Sequence, residues 1–79
     1  MEYSYEEFME DVKMGHEIEF IYHKVTYFIT HDNRGWILAN INDKTSQCFT
    51  NVEDLLENAR IDSKSLSNVW TQVEIDTIY

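Results

Sequence analysis

Residues 17–30, EIEFIYHKVTYFIT, are the stretch of sequence from which the predicted sheet is built. In each half, large apolar side chains recur at every second position, which is the period of a β-strand with one buried face. A tight turn at His23 and Lys24 would set a register that collects six large side chains on one face: Ile18, Phe20, Tyr22, Val25, Tyr27 and Ile29. We therefore predict an antiparallel hairpin, although its turn lacks the usual glycine or asparagine.

A helix is predicted immediately before this hairpin. Ser4 followed by Glu7 is a capping-box pattern, and Gly15 is placed to end the helix. The apolar side chains of the segment fall at helical spacing: Tyr5, Phe8, Met9 and Val12. The helix should run from about Tyr5 to Met14.

Three further strands are predicted after the hairpin. Residues 36–41 are almost continuously apolar, which suits an interior strand with both faces partly covered. Residues 47–49 suit a short fourth strand, and residues 73–78 alternate again as a last strand.

Two helices are predicted between the fourth strand and the last. Thr50 with Glu53 offers a second capping box for a helix over residues 51–59. Asp62 can cap a short third helix whose apolar side chains share one face: Leu66, Val69 and Trp70.

Together these elements predict an α+β fold in which residues 1–79 form a single domain. An amino-terminal helix precedes an antiparallel β-meander of three to five strands, and one or two helices come before the carboxy-terminal strand. No proline, repeat or linker divides the chain, and 79 residues leave room for one core. We expect the helices to cover one face of the sheet.

The composition favours a cytoplasmic protein with a basic partner. Fifteen acidic and six basic residues give a formal charge of −9, which disfavours direct binding of nucleic acid or anionic membranes. Cys48 is the single cysteine, so no internal disulfide can form, and a reducing compartment is expected. Residues 1–11 hold five acids and no apolar run, which argues against a signal peptide, and no segment approaches the ~20 apolar residues of a membrane span.

The sequence predicts no catalytic, metal or cofactor site. His16, His23 and His31 stand apart from one another, without the spacing that a metal site needs. Cys48 has no partner that the sequence places beside it, and two glycines do not make a phosphate-binding loop. We therefore expect a protein that is not an enzyme and that has no cofactor.

Two surfaces are candidates for binding a partner. The first is acidic and comprises helix and strand residues: Glu6, Glu7, Glu10, Asp11, Glu17 and Glu19. These carboxylates either form a solvated face or present charge to a basic groove, as an imitation of a nucleic-acid backbone would. The second is the sheet face opposite the six-residue cluster, with Phe28 and, depending on register, Trp36; it is core if helices cover it and a patch for a partner or second copy if not.

Six runs of the chain resemble a group of short acidic proteins of unassigned function from Firmicutes and their phages. They are Ser4 to Phe8, Glu17 to Tyr22, Tyr27 to Thr30, Gly35 with Trp36, Phe49 to Ser65, and Val69 to Ile75. The resemblance implies a small bacterial or phage cytosolic protein and carries over no catalytic residue or ligand. Such proteins often have a glycine turn where this chain has His23 and Lys24.

The leading functional hypothesis is therefore a phage or mobile-element inhibitor that occupies a basic surface of a host nucleic-acid-handling or defence protein. That hypothesis draws on charge and on analogy with small acidic phage proteins. The alternatives are a protein that sequesters a small ligand such as a nucleotide signal, or a structural interaction module. A homodimer is compatible with each of these three hypotheses.

Overall fold

A computed structural model describes residues 3–79 and confirms the α+β fold. Its elements, in chain order, are α1 Tyr5–Lys13, β1 Ile18–Tyr22, β2 Val25–Asp32, β3 Gly35–Asn40, β4 Thr45–Phe49, α2 Val52–Asn58, β5 Arg60–Ile61, β6 Lys64–Ser65, α3 Leu66–Val69, a 3-10 turn Trp70–Gln72, and β7 Val73–Ile78. Five strands form one antiparallel sheet in the order β4-β3-β2-β1-β7, and β5 with β6 makes a separate small hairpin.

The predicted pairing of β1 with β2 is confirmed residue by residue. Ile18 lies opposite Ile29, and Tyr22 lies opposite Val25. His23 and Lys24 form the two-residue turn with φ of 48° and 66°, the left-handed region that type I′ hairpins require. The sheet therefore tolerates two side chains where glycine or asparagine would be less strained.

The third and fourth strands extend the meander on one side of this hairpin. β3 is interior, as predicted, because it pairs with both β2 and β4, although β2 is the middle strand of the five. β4 begins at Thr45 and is longer than the predicted residues 47–49. Gly35 begins β3 with φ of 138°, and a Cβ there would lie 2.1 Å from the carbonyl oxygen of Phe49, so any larger residue would push the two strands apart.

The first helix begins as the sequence predicts. Ser4 Oγ accepts from the Glu7 amide and Glu7 Oε1 accepts from the Ser4 amide, both at 3.1 Å, which completes the capping box. The helix ends at Lys13, and Gly15 follows with φ of 95°. The sequence signals for this element therefore correspond to actual hydrogen bonds.

The caps of the two later helices differ from the prediction. Asn51, and not Thr50, caps α2: its Oδ1 accepts from the Asp54 amide at 2.8 Å. Asp54 in turn accepts from the Thr50 amide at 2.9 Å, and this bond, with a second from Asn58, lowers the pKa of the Asp54 carboxyl. Thr50 therefore donates to Asp54, whereas the predicted capping box paired it with Glu53.

Asp62 does not cap the third helix. With Ser63 it forms the turn between β5 and β6, at φ of 53° and 64°, a conformation that aspartate tolerates better than most residues. Ser65 caps α3, and its Oγ accepts from the Asn68 amide at 3.3 Å. The segment that was predicted to begin the third helix therefore forms a small hairpin, and the helix begins after it.

The helices pack against one face of the sheet, as expected. Trp70 lies at the centre of this core, with its ring 4.1 Å from that of Phe8 and 5.5 Å from that of Phe20. Its Nε1 donates to the Tyr3 carbonyl at 3.0 Å, so the indole N–H is not left unpaired. The buried residues of the helical layer are Phe8, Val12, Leu55, Leu66, Val69 and Trp70, and those of the sheet include Ile18, Phe20, Ile29 and Leu38.

We expect Phe8→Ala and Phe20→Ala each to destabilise the protein by about 3 to 5 kcal/mol. Both side chains are fully buried, and each truncation leaves a cavity beside Trp70. Chemical denaturation measures the loss, with Met14→Ala as the control because Met14 is 70% exposed. Variants that lose less than about 1 kcal/mol would show that these rings are not central to the core.

We expect Lys24→Gly and Ser63→Gly to stabilise the protein. Both residues have left-handed φ, and relief of the side-chain clash outweighs the added entropy of the unfolded chain by roughly 0.5 to 1 kcal/mol per site. Thermal melting should show a rise of roughly 2 to 8 °C for each. Ser46→Gly, made in an extended strand, should lower the melting temperature instead, and a fall in all three would contradict the strain argument.

Candidate partner-binding surface

The sheet face opposite the helices is not covered by any element that the structure describes. We call it the open face and define it by Ile21, Thr26, Phe28, Thr30, Ile37 and Ala39. All six side chains are half-buried, whereas every buried helical residue belongs to the core on the other side. Phe28 pairs with Ala39 on one side and with Glu19 on the other, so an apolar group lies directly against a carboxylate in the middle of this face.

Carboxylates border the open face on the β1 and β7 side. Glu17 Oε2 accepts from the Thr30 hydroxyl at 2.7 Å, and Glu19 Oε1 accepts from the Tyr79 hydroxyl at 3.0 Å. Glu74 lies opposite Ile21 across β1 and β7. Two of the three acids are therefore held in defined positions beside apolar side chains.

Tyr79 reaches this face because of a β-bulge. In the pairing of β1 with β7, Phe20 lies opposite Ile75 and Glu19 lies opposite Thr77, so Asp76 is an extra residue. Because of this extra residue, the side chains of odd-numbered residues lie on the helix side before the bulge and on the open face after it. The Tyr79 ring therefore packs edge-on against Phe28, at 5.6 Å and 84°, and the hydrogen bond to Glu19 raises the pKa of its phenol.

The structure separates Trp36 from Phe28, which the sequence analysis had considered as one aromatic face. Trp36 lies opposite His31 on β2 and opposite Phe49 on β4, which puts it on the helix side of the sheet. Its ring packs 4.4 Å from that of His31. The register of β3, which the sequence leaves open, therefore removes Trp36 from the open face and replaces it with Ile37.

The six candidate acids also lie on two surfaces and not on one. Helix α1 packs on the covered side through its apolar residues, so its carboxylates are separated from Glu17 and Glu19 by the sheet. Glu7 is part of the capping box, and Asp11 accepts a short hydrogen bond from the Tyr3 hydroxyl. Burial and this bond raise the pKa of the Tyr3 phenol. Glu6 and Glu10 remain as exposed helix acids.

Each histidine bonds to another part of the described chain. His16 Nδ1 lies 2.8 Å from the Tyr79 carbonyl oxygen, His23 Nε2 lies 2.8 Å from Gln72 Oε1, and His31 Nε2 lies 3.0 Å from the Gly15 carbonyl oxygen. These contacts join segments that are distant in sequence. They give all three rings structural partners.

Sequence reasoning missed Ile37, Glu74 and Tyr79 as members or neighbours of the open face. The alternation in β3 is masked because residues 36–41 are apolar on both sides, so only the register assigns Ile37. The bulge at Asp76 leaves no clear sequence signal, and it decides where Tyr79 lies. The alternation in the last strand does predict that Glu74 lies on the face opposite Val73 and Ile75.

Among residues 3–79 no group of three or more histidine, cysteine, aspartate or glutamate side chains is arranged to hold a metal ion. None of the helices in this part of the chain has the length and apolar character needed to cross a membrane. Comparison of the chain with family models, curated proteins and solved structures finds no match.

Proposed function

We propose that this chain is a non-enzymatic binding protein whose open face engages a protein partner with a basic and partly apolar surface. The observation that carries the proposal is the juxtaposition of Phe28 with Glu19, one half-buried aromatic ring beside a carboxylate fixed by Tyr79. An apolar group bordered by ordered charge has the composition of an interface with an apolar centre and a polar rim.

The net charge supports a more specific form of this proposal. At −9 the chain attracts basic surfaces over a distance of about one Debye length, ~8–10 Å at ordinary ionic strength. Proteins that handle nucleic acid present such surfaces. We therefore propose a cytoplasmic phage or mobile-element inhibitor that occupies the nucleic-acid site of a host enzyme or defence protein, with the sequence resemblance as further support.

A small-ligand role is the second candidate, and one cleft favours it. The cleft has a volume of about 440 Å³ and lies at the β3–β4 corner, where Arg34, Trp36 and Ile37 contribute to its lining. Such a volume suits a small molecule. However, Arg34 is paired with Asp32 at 3.0 Å, which lowers the pKa of that carboxyl and places a negative charge beside any anion that Arg34 would bind.

We expect neutralising Glu17 and Glu19 to slow association with the partner. The E17Q/E19Q variant keeps acceptors for the Thr30 and Tyr79 hydroxyls, so it removes charge with little change in packing. The partner is first captured from a bacterial lysate by the parent chain and identified. Surface plasmon resonance at two salt concentrations should then show association reduced roughly threefold or more at low salt, with a smaller change in dissociation.

The matched control is E6Q/E10Q, which removes the same charge from exposed positions of α1. It should leave association within about twofold of the parent, because only distant charge is lost. Equal losses in the two variants would show that net charge alone acts and would contradict binding through the open face.

We also expect duplex DNA to compete with the chain for the captured partner. A chain that occupies a nucleic-acid site cannot bind together with the duplex, so increasing DNA should displace it in a pull-down assay. Unaffected binding at saturating DNA would contradict the nucleic-acid mimic while leaving binding by the open face intact.

A further inference from the structure

The two edges of the sheet differ in how they are protected from further strand pairing. The edge strand β7 carries the acids Glu74 and Asp76 and is interrupted by the bulge at Asp76. Charges and bulges on an edge are the usual means by which proteins prevent the addition of another strand. The outer edge of β7 is therefore poorly suited to pairing.

The opposite edge, β4, has none of these devices. Its sequence, TSQCF, contains no charge, proline or glycine, and its pairing with β3 is regular over all five residues. Its first four residues, Thr45 to Cys48, are exposed. Within residues 3–79 no strand pairs with its outer side. Unpaired peptide groups on a regular, uncharged strand form a template for another strand.

The small hairpin bonds to β4 through a side chain and, among residues 3–79, through no peptide group of that strand. The Gln47 side chain, on the helix side of the sheet, donates to the Arg60 carbonyl at 2.6 Å and accepts from the Arg60 amide at 3.0 Å. The hairpin is thus held by a side chain of β4 and not by its peptide groups. Those groups stay available for pairing in the plane of the sheet.

The low charge around β4 makes this edge the place where a second copy of the chain can pair. Two copies with a charge of −9 repel each other, so self-association needs a contact that brings few acids together. The β3–β4 hairpin, residues 35–49, has one acid, Asp43, and one base, Lys44. Self-pairing of β7 would instead oppose the acids Glu74 and Asp76 of both copies, which is unfavourable.

We propose that the protein forms a homodimer in which β4 of one copy pairs antiparallel with β4 of the other. A two-fold axis between the two strands, perpendicular to the sheet, makes the contact self-complementary, and the hydroxyl groups of Thr45 and Ser46 can each donate and accept. The result is a continuous ten-stranded sheet. The open faces of the two copies then lie on the same side, which doubles the surface offered to a partner.

The dimer is tested by sedimentation of the full-length chain over a concentration series. The chain has a mass of 9.5 kDa, and the dimer has twice that mass. In a pairing centred on Gln47, Ser46 of one copy faces Cys48 of the other, so S46E/C48E places like charges across the contact. We expect this variant to weaken dimerisation at least about tenfold.

N68E/T71E is the matched control, since it adds the same charge at exposed positions away from β4 and should leave the dimer unchanged. A second measurement needs no variant: hydrogen exchange of the wild-type β4 amides should slow as concentration rises, while that of β7 stays constant. A chain that remains monomeric up to about 1 mM would overturn the proposal. So would a dimer that S46E/C48E leaves intact, and the E17Q/E19Q variant should dimerise normally whether or not it binds a partner.

Discussion

The pairing of β1 with β2 determines which side chains of these two strands face the helices, and β3 and β7 pair onto the hairpin from either side. Strand side chains alternate, so a slip of β1 by one residue against β2 would turn Phe20 to the open face and Glu19 toward the helices. The turn at His23 and Lys24 holds the register at the cost of two left-handed residues. That strain is small beside the full burial of Ile18, Phe20 and Ile29, each worth about 1.5 to 3 kcal/mol.

The same register explains why one face is core and the other is open. All large apolar side chains of β1 except Ile21 point to the helices, where Trp70 fills the space between α1 and the sheet. The chain has enough helix for one covering layer only. The open face keeps half-buried apolar groups without a second layer, and exposed apolar area bordered by charge is where binding surfaces are usually found.

Sequence reasoning predicts those parts of the fold in which local and tertiary preferences agree. The capping box at Ser4 and the alternation through β1 and β2 meet this condition. The cap at Asn51 and the turn at Asp62 do not, because asparagine, threonine and aspartate suit caps and turns equally well. For the candidate surface, the hairpin alone predicts the face on which Phe28 lies. The face of Trp36 depends in addition on the register of β3. That register is decided by packing across the whole sheet.

The place of β7 beside β1 has a consequence for the order of folding. The contact of Ile18 with Ile29 joins residues 11 positions apart, whereas that of Ile18 with Ile78 joins residues 60 positions apart. Loop-closure entropy makes the longer contact costlier by about 1.5 kcal/mol, so we expect the meander to assemble early and β7 to dock late. Tyr79, which completes the surface over Phe28, arrives with that last strand. A partner that recognises Tyr79 and Phe28 together therefore binds the finished chain and not its folding intermediates.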